Sequence, residues 1–370
     1  MKPIQKALLT ALFTLAATGC GEPAVDEQPT TVVDGADDAE QSATVAAGES
    51  LFKTETFRGN GRTCATCHTS DTGTLSAAQA QSLYSTNRNH PLFRRIDSDE
   101  RLGLSYTKLV NDATISVDLT LPPNVTLATD PTRRTITLRR GVPTVRDAAA
   151  LDPTLMWDGR EPSLQSQARS AIMGHAEATR TPTADQLDSI AAYEKTLFTS
   201  SALRDYAKGK APAPGLPQGT TDSEKRGQAW FAETGVCGSC HGGALLNRMT
   251  AYNPIGAPVG SQFASAAVSE INLAGNPVLT FLVTNPVDNT VTTVNSPDPG
   301  LMLVTGVAQH ANAFKMTSLR NLKNTAPYFH DNSAKNLDQL MFQYKLLLDF
   351  LGIPNTDQDR ADMIAYMKLL

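Results

Sequence analysis

Apolar positions recur at helical spacing in the second half of the chain's first two hundred residues and again in its tail. Thr183-Ala184-Asp185-Gln186 has the composition of a capping box, and Leu187, Ile190, Ala191, Glu194 and Leu197 follow at helical steps, which predicts a helix over 184–199. Leu337, Leu340, Met341, Tyr344, Leu347, Leu348 and Leu351 form one apolar stripe that Gly352 and Pro354 end. Thr356 opens a last helix with Met363, Ile364 and Met367 on its inner face. Strand patterns are confined to 133–138 and 278–294, where Asn-Pro-Val-Asp-Asn separates two β-rich runs and predicts a hairpin inserted in a helical domain.

The N-terminus has a different pattern. Lys2 and Lys6 precede an apolar run over 7–17 that closes on Ala17-Thr18-Gly19-Cys20. This is an export signal whose small residues before Cys20 match a lipobox, so Cys20 is expected to be lipidated and to become the mature N-terminus. No later stretch approaches the 18 apolar residues of a membrane span. The expected location is therefore the periplasm, with a lipid anchor in the outer membrane. Residues 21–47 carry no aromatic residue and no apolar period, and read as a disordered spacer. Pro and Gly cluster again over 207–221, which divides the remainder into 48–206 and 222–370.

Composition agrees with two domains, since 370 residues with 41% hydrophobic content exceed what one core usually holds. Only 6% of residues are aromatic while Gly (25) and Pro (22) are plentiful, so a large cofactor is expected to fill part of the interior. A net charge of −5 supplies no basic field for nucleic acid.

The chemistry lies in Cys64-Ala65-Thr66-Cys67-His68 and Cys237-Gly238-Ser239-Cys240-His241. C-x-x-C-H is the signature of c-type haem attachment: two thiols a turn apart add across the porphyrin vinyl groups, and the adjacent imidazole ligates the iron. A zinc site of four cysteines, or a pair of disulfides, would leave His68 and His241 without a role. Two covalent haems follow, bound through Cys64, Cys67, Cys237 and Cys240 with His68 and His241 as axial ligands. The expected fold class is mainly α, with two cytochrome c-like haem domains in tandem and a small β-hairpin insertion.

Two further blocks carry a resemblance. Residues 157–168 (WDGREPSLQSQA) with Gly174-His175-Ala176-Glu177, and 314–321 (FKMTSLRN) with 325–331 (TAPYFHD), resemble the paired signature blocks of bacterial dihaem cytochrome c peroxidases and the related MauG enzymes. The resemblance covers roughly 48–370. It implies that Trp157 stands between the haems as a stepping stone for electrons, that Glu177 is the distal carboxylate of the peroxidatic haem, and that Gln167 hydrogen-bonds in that pocket. It also implies a calcium ion held in part by the carbonyls of Thr325 and Pro327, although the asparagine expected before Pro143 is replaced around Gly141 and Val142.

Two departures matter. The family peroxidases place a methionine fourteen residues after the histidine matched by His330, where this chain has Tyr344, as MauG does; Met341 is the rival ligand, and a core tyrosine is the bland reading. Sixteen residues past His68, where the peroxidases have a closing histidine, stands Tyr84, so the first site is expected to be open unless His90 or His175 reaches the iron. His310 and His330 read as structural. The function implied is reduction of hydrogen peroxide with electrons from a small c-type cytochrome or cupredoxin. A MauG-like oxidase acting on an organic or protein substrate and a plain dihaem electron-transfer protein are the alternatives.

Overall fold

The computed structural model describes residues 36–271 and 275–370, so the expected export signal, Cys20 and the start of the expected spacer lie outside the described residues. Helices α1 (Ala36–Thr54), α2 (Ala77–Thr86), α3 (Leu164–Gly174) and α4 (Ala184–Glu194) belong to the first half. Helices α5 (Asp222–Phe231), α6 (Val236–Cys240), α7 (Leu337–Phe350) and α8 (Asp357–Met367) belong to the second. Among the described residues no helix is long and apolar enough to cross a membrane.

The capping boxes act as read. Thr183 accepts from the Gln186 amide and Thr356 from that of Asp359, starting α4 and α8. The helix predicted over 184–199 stops at Glu194, because Lys195 already turns its amide onto the Ala191 and Tyr193 carbonyls. The spacer is shorter than expected: 36–47 is helical. Its alanines favour helix, and Val45 packs with Leu51 and Phe52 onto Ile190 and Tyr193, which anchors that end of α1 to α4.

From the C-x-x-C-H motifs onward the two halves repeat one plan at an offset of 173 residues. Cys64 and His68 correspond to Cys237 and His241, the caps Ser163 and Thr183 to Asn336 and Thr356, and the left-handed Met156 (φ 67°) to Phe329 (φ 71°). The bridges Leu155–Glu161 and Tyr328–Ala334 share that offset. In each half an early helix crosses a late one at a glycine, Gly48 of α1 on α4 and Gly227 of α5 on α8. A Cβ on Gly48 would stand 1.8 Å from the Ser189 carbonyl oxygen, and one on Gly227 would stand 2.1 Å from that of Asp362. Phe52 then meets Tyr193, and Phe231 meets Tyr366, with ring centroids 5.3 Å apart in both pairs.

The fold is mixed rather than mainly α. Strand β1 (Thr114–Thr120) pairs antiparallel with β3 (Thr135–Gly141), and β4 (Phe263–Ala264) with β7 (Phe314–Lys315). The hairpin of β5 (Leu279–Thr284) and β6 (Val291–Ser296) forms as predicted, but it is not confined to a helical C-terminal domain. Its β5 edge takes β2 (Val125–Leu127) from before the linker, in register Val125 to Val283 and Leu127 to Phe281. Phe281, Val283, Met302 and Leu303 bury themselves among Leu92, Ile115, Val117 and Ile136. The 207–221 stretch is strapped down as well: Arg320 donates to the Pro214 and Gly215 carbonyls (2.6 and 2.9 Å), and Tyr366 donates to that of Pro217 (2.8 Å).

Candidate haem sites and the wall between them

Each C-x-x-C-H motif sits on a short helical turn at the wall of its own cavity. The first cavity is lined by Cys64, Cys67, His68, Ala171, His175 and Glu194, the second by Cys237, Cys240, His241, Met341, Tyr344 and Met367. Non-atom space of about 1280 and 1810 Å³, including the solvent at each mouth, accommodates a porphyrin in either. The proximal histidines are built identically. His68 Nδ1 donates to the Gly73 carbonyl (2.8 Å) and His241 Nδ1 to that of Leu246 (3.0 Å), five residues on in each case. Those bonds fix the tautomer that leaves a lone pair on Nε2, and burial lowers both imidazole pKa values, so each ring stays neutral.

The four thiols are free, and burial pushes Cys64 up to about 12, Cys67 to about 11 and Cys237 to about 12. Two thiols a turn apart with an adjacent imidazole at the wall of a large cavity suit attachment to the vinyl groups of a porphyrin. Among the described residues no group of three or more His, Cys, Asp or Glu converges to hold a metal ion. The donor set therefore fits two c-type haems.

One wall separates the cavities, and Val142, Pro143, Trp157 and Lys315 line both sides of it. Trp157 Nε1 donates to the Gly141 carbonyl (2.8 Å), while the Gly141 amide donates to the His330 carbonyl (2.7 Å), so one residue ties Trp157 to the residue that occupies its position in the other half. Behind it lies a buried ion cluster. Arg140 bridges Asp158 (2.5 Å) and Asp298 (2.7 Å), and His330 stacks on Phe314 with centroids 3.6 Å apart. Buried Lys315 pairs with Asp152 at 2.7 Å.

The expected site residues do not all meet. Gln167 and Trp157 line the first cavity, and Tyr344 and Met341 the second. Glu177 does not line the first cavity: its left-handed backbone (φ 48°) turns the side chain outward, where it is exposed and accepts from Asn60 Nδ2 at 2.8 Å. Two residues earlier, His175 lines the cavity with Nδ1 buried and unpartnered, and burial lowers its pKa. His90 is kept away by accepting the Leu92 amide on Nδ1 (3.2 Å), and Tyr84 packs edge-on against Phe93 at 4.9 Å. Tyr344 stands half-buried with its ring 6.1 Å from Phe329, and burial holds its hydroxyl above the ordinary phenol range. Its first-half counterpart is Ala171, whose methyl leaves the first cavity unobstructed on that side. Thr325 and Pro327 line the second cavity, and His310, bonded to Thr305 at 2.9 Å, lies away from both. Glu194, read from the sequence only as part of a helical stripe, is buried in the first cavity wall and is taken up below.

Comparison with known proteins agrees with this geometry. Residues 42–200 match the family model for di-haem cytochrome c peroxidase. The cytochrome c peroxidase Ccp of Escherichia coli (strain K12) is 27% identical over 187 residues, covering 50% of this chain and 31% of that protein. The cytochrome c551 peroxidase of Pseudomonas aeruginosa is 27% identical over 228 residues, covering 54% and 55%. The chain thus spans about a third to just over half the length of these relatives. Among solved structures, a MauG-like protein associated with microbial copper homeostasis superposes with a TM-score of 0.50 at 18% identity, over 89% of this chain and 88% of that one, which speaks for the fold. Residues 42–200 are thus similar to the family of di-haem cytochrome c peroxidases.

Proposed function

We propose that this protein is a dihaem c-type peroxidase that reduces hydrogen peroxide at the first site with electrons relayed from the second. The observation that carries the reading is the asymmetry of two otherwise repeated cavities. The second has Tyr344 and Met341 where the first has Ala171 and Ala168, so the second is closed by a ligand and the first is left open to a small molecule.

Cys64 with Cys67, and Cys237 with Cys240, would hold the haems covalently, with His68 and His241 below the irons. Haem bound there supplies cleavage of the peroxide O–O bond and storage of single electrons. The chain's own residues do the rest. Gln167 donates a hydrogen bond into the first cavity, and His175 moves a proton from the near to the far peroxide oxygen. A neutral imidazole at neutral pH is the protonation state that such a base needs, and burial keeps it so. Glu177, expected from the resemblance to be this base, orders the loop through Asn60 instead. Trp157 carries electrons across the shared wall. The donor is a small c-type cytochrome or cupredoxin, and export with lipidation at Cys20 would set the protein in the periplasm on the outer membrane. Calcium has only the Thr325 and Pro327 carbonyls to support it and plays no part in this reading.

Tyr344 favours a second reading, a MauG-like oxidase that draws electrons from an organic or protein substrate, since a phenolate ligand stabilises oxidised iron. Steady-state turnover of hydrogen peroxide with a reduced c-type cytochrome separates the two. Sustained oxidation of the cytochrome is the expected result, and peroxide consumption without it would favour the oxidase.

A further inference from the structure

Glu194 is the last residue of α4, 4% exposed, and it lines the first cavity near Cys64 with Oε2 buried and without a hydrogen-bond partner. Its counterpart 173 residues on is Met367, buried and lining the second cavity. The same place in one repeated fold thus holds a thioether in one half and a carboxyl in the other. Packing alone does not ask for the carboxyl, which costs more to bury than methionine does.

No neighbouring charge neutralises it. On α1, Glu49 and Lys53 pair with each other at 2.5 Å. Before the next short helix, Arg146 donates to the Ser70 and Phe198 carbonyls, and Asp147 is taken by Thr199. On α3, Arg169 is exposed, and from the attachment turn come the neutral Cys64, Cys67 and His68. Arg62, across the cavity, is paired with Asp97 at 2.6 Å.

We propose that Glu194 is the proton acceptor of the first haem, its carboxylate taking up one proton when that iron gains one electron and releasing it on reoxidation. The inference rests on the reading that Cys64 and Cys67 carry a haem. Reduction by a one-electron carrier removes one positive charge from the ferric porphyrin, and in a water-poor cavity that loss raises the proton affinity of a nearby carboxylate. The proton comes from water, and the O–H bond of the carboxylic acid is the only bond formed. Burial pushes Glu194 up to about 8, which places the coupling at neutral to mildly alkaline pH. Peroxide reduction consumes a proton with each electron, so the arrangement delivers both to one cavity. The second cavity, with Met367, lacks the device.

The test uses the mature two-haem protein, after mass spectrometry has established haem on the Cys64/Cys67 peptide; absence of haem there would refute the reading of the site and this inference with it, whereas the outcomes below bear on Glu194 alone. Mediated redox titrations from pH 5.5 to 9.5 then follow each haem, the two told apart by their ferric EPR signals. The ratio of reduced to oxidised first haem, at fixed potential, should fall up to tenfold per pH unit as Glu194 ionises, equivalent to about 59 mV for one electron. Glu194→Gln and Glu194→Met should abolish that dependence, the latter copying a residue that the other half already accommodates. Met367→Glu should confer it on the second haem. A wild-type first haem indifferent to pH, or a dependence kept in both Glu194 variants, would overturn the proposal.

Discussion

Substituting the crossing glycines tests whether the two halves are built alike. Gly48→Ala places a methyl 1.8 Å from the Ser189 carbonyl oxygen and 2.9 Å from Tyr193 Cβ; Gly227→Ala places one 2.1 Å from the Asp362 carbonyl oxygen and 2.7 Å from Tyr366 Cβ. Contacts of this kind do not normally fall below 3.0 Å, so each helix pair must part by about an ångström. Such overpacking costs roughly 1–3 kcal/mol, and spoiling the Phe52–Tyr193 or Phe231–Tyr366 pair adds about 0.5–1.5 kcal/mol. Alanine returns about 0.5–1 kcal/mol through helix propensity. The net is a loss of about 2 kcal/mol, or about 4–8 °C in the midpoint of a unit of this size. Thermal unfolding followed by circular dichroism measures it, with Gly174→Ala, where no atom lies within 4 Å of the added methyl, as a control expected to be neutral or slightly stabilising. Wild-type midpoints for both crossing variants would refute the close crossing and the repeat built on it.

Three further outcomes follow from the sites. His175→Ala should slow the reaction of the first haem with hydrogen peroxide by about 10²–10⁴-fold in stopped flow, while Glu177→Gln changes it little; the reverse pattern returns the proton transfer to Glu177. Tyr344→Met should raise the potential of the second haem and give a methionine-ligated spectrum, and Tyr344→Phe should leave that iron short of a ligand; unchanged spectra in both would make Tyr344 a packing residue and point to Met341. Glu224 is held down to about 2, chiefly by the Thr221 amide in the cap of α5, so it contributes stability above its usual pKa that is lost as pH falls toward 2. Glu224→Gln should flatten the acid limb of a urea-denaturation series between pH 5 and 2, and an unaltered slope would contradict that.

Much of this architecture is written locally and can be read there. The C-x-x-C-H motifs, the capping boxes at Thr183 and Thr356, and the α7 stripe each need only a few neighbouring residues. What escapes a local reading depends on distant partners. Strand β1 is buried along most of its length, so it shows no clean alternation, and the partner of the predicted hairpin, β2, lies some 150 residues earlier. Helix α1 reaches back into the polar stretch because α4 covers its few apolar side chains. At the site, the choice between Glu177 and His175 turns on one left-handed residue, which spacing does not reveal. By its spacing alone Glu194 is an ordinary position of a helical stripe. Aligning the halves at their 173-residue offset sets it against Met367 and Tyr344 against Ala171, and that comparison was available in the sequence.

The unequal roles of the two cavities are tested most directly in a single turnover. The protein is reduced at both haems, freed of reductant, and mixed with one equivalent of hydrogen peroxide while the two haem spectra are followed. An open first site joined through Trp157 to a closed second site predicts that both haems lose one electron each, with two water molecules formed. Two haems that stay reduced, or a first haem that oxidises while the second does not, would contradict the account.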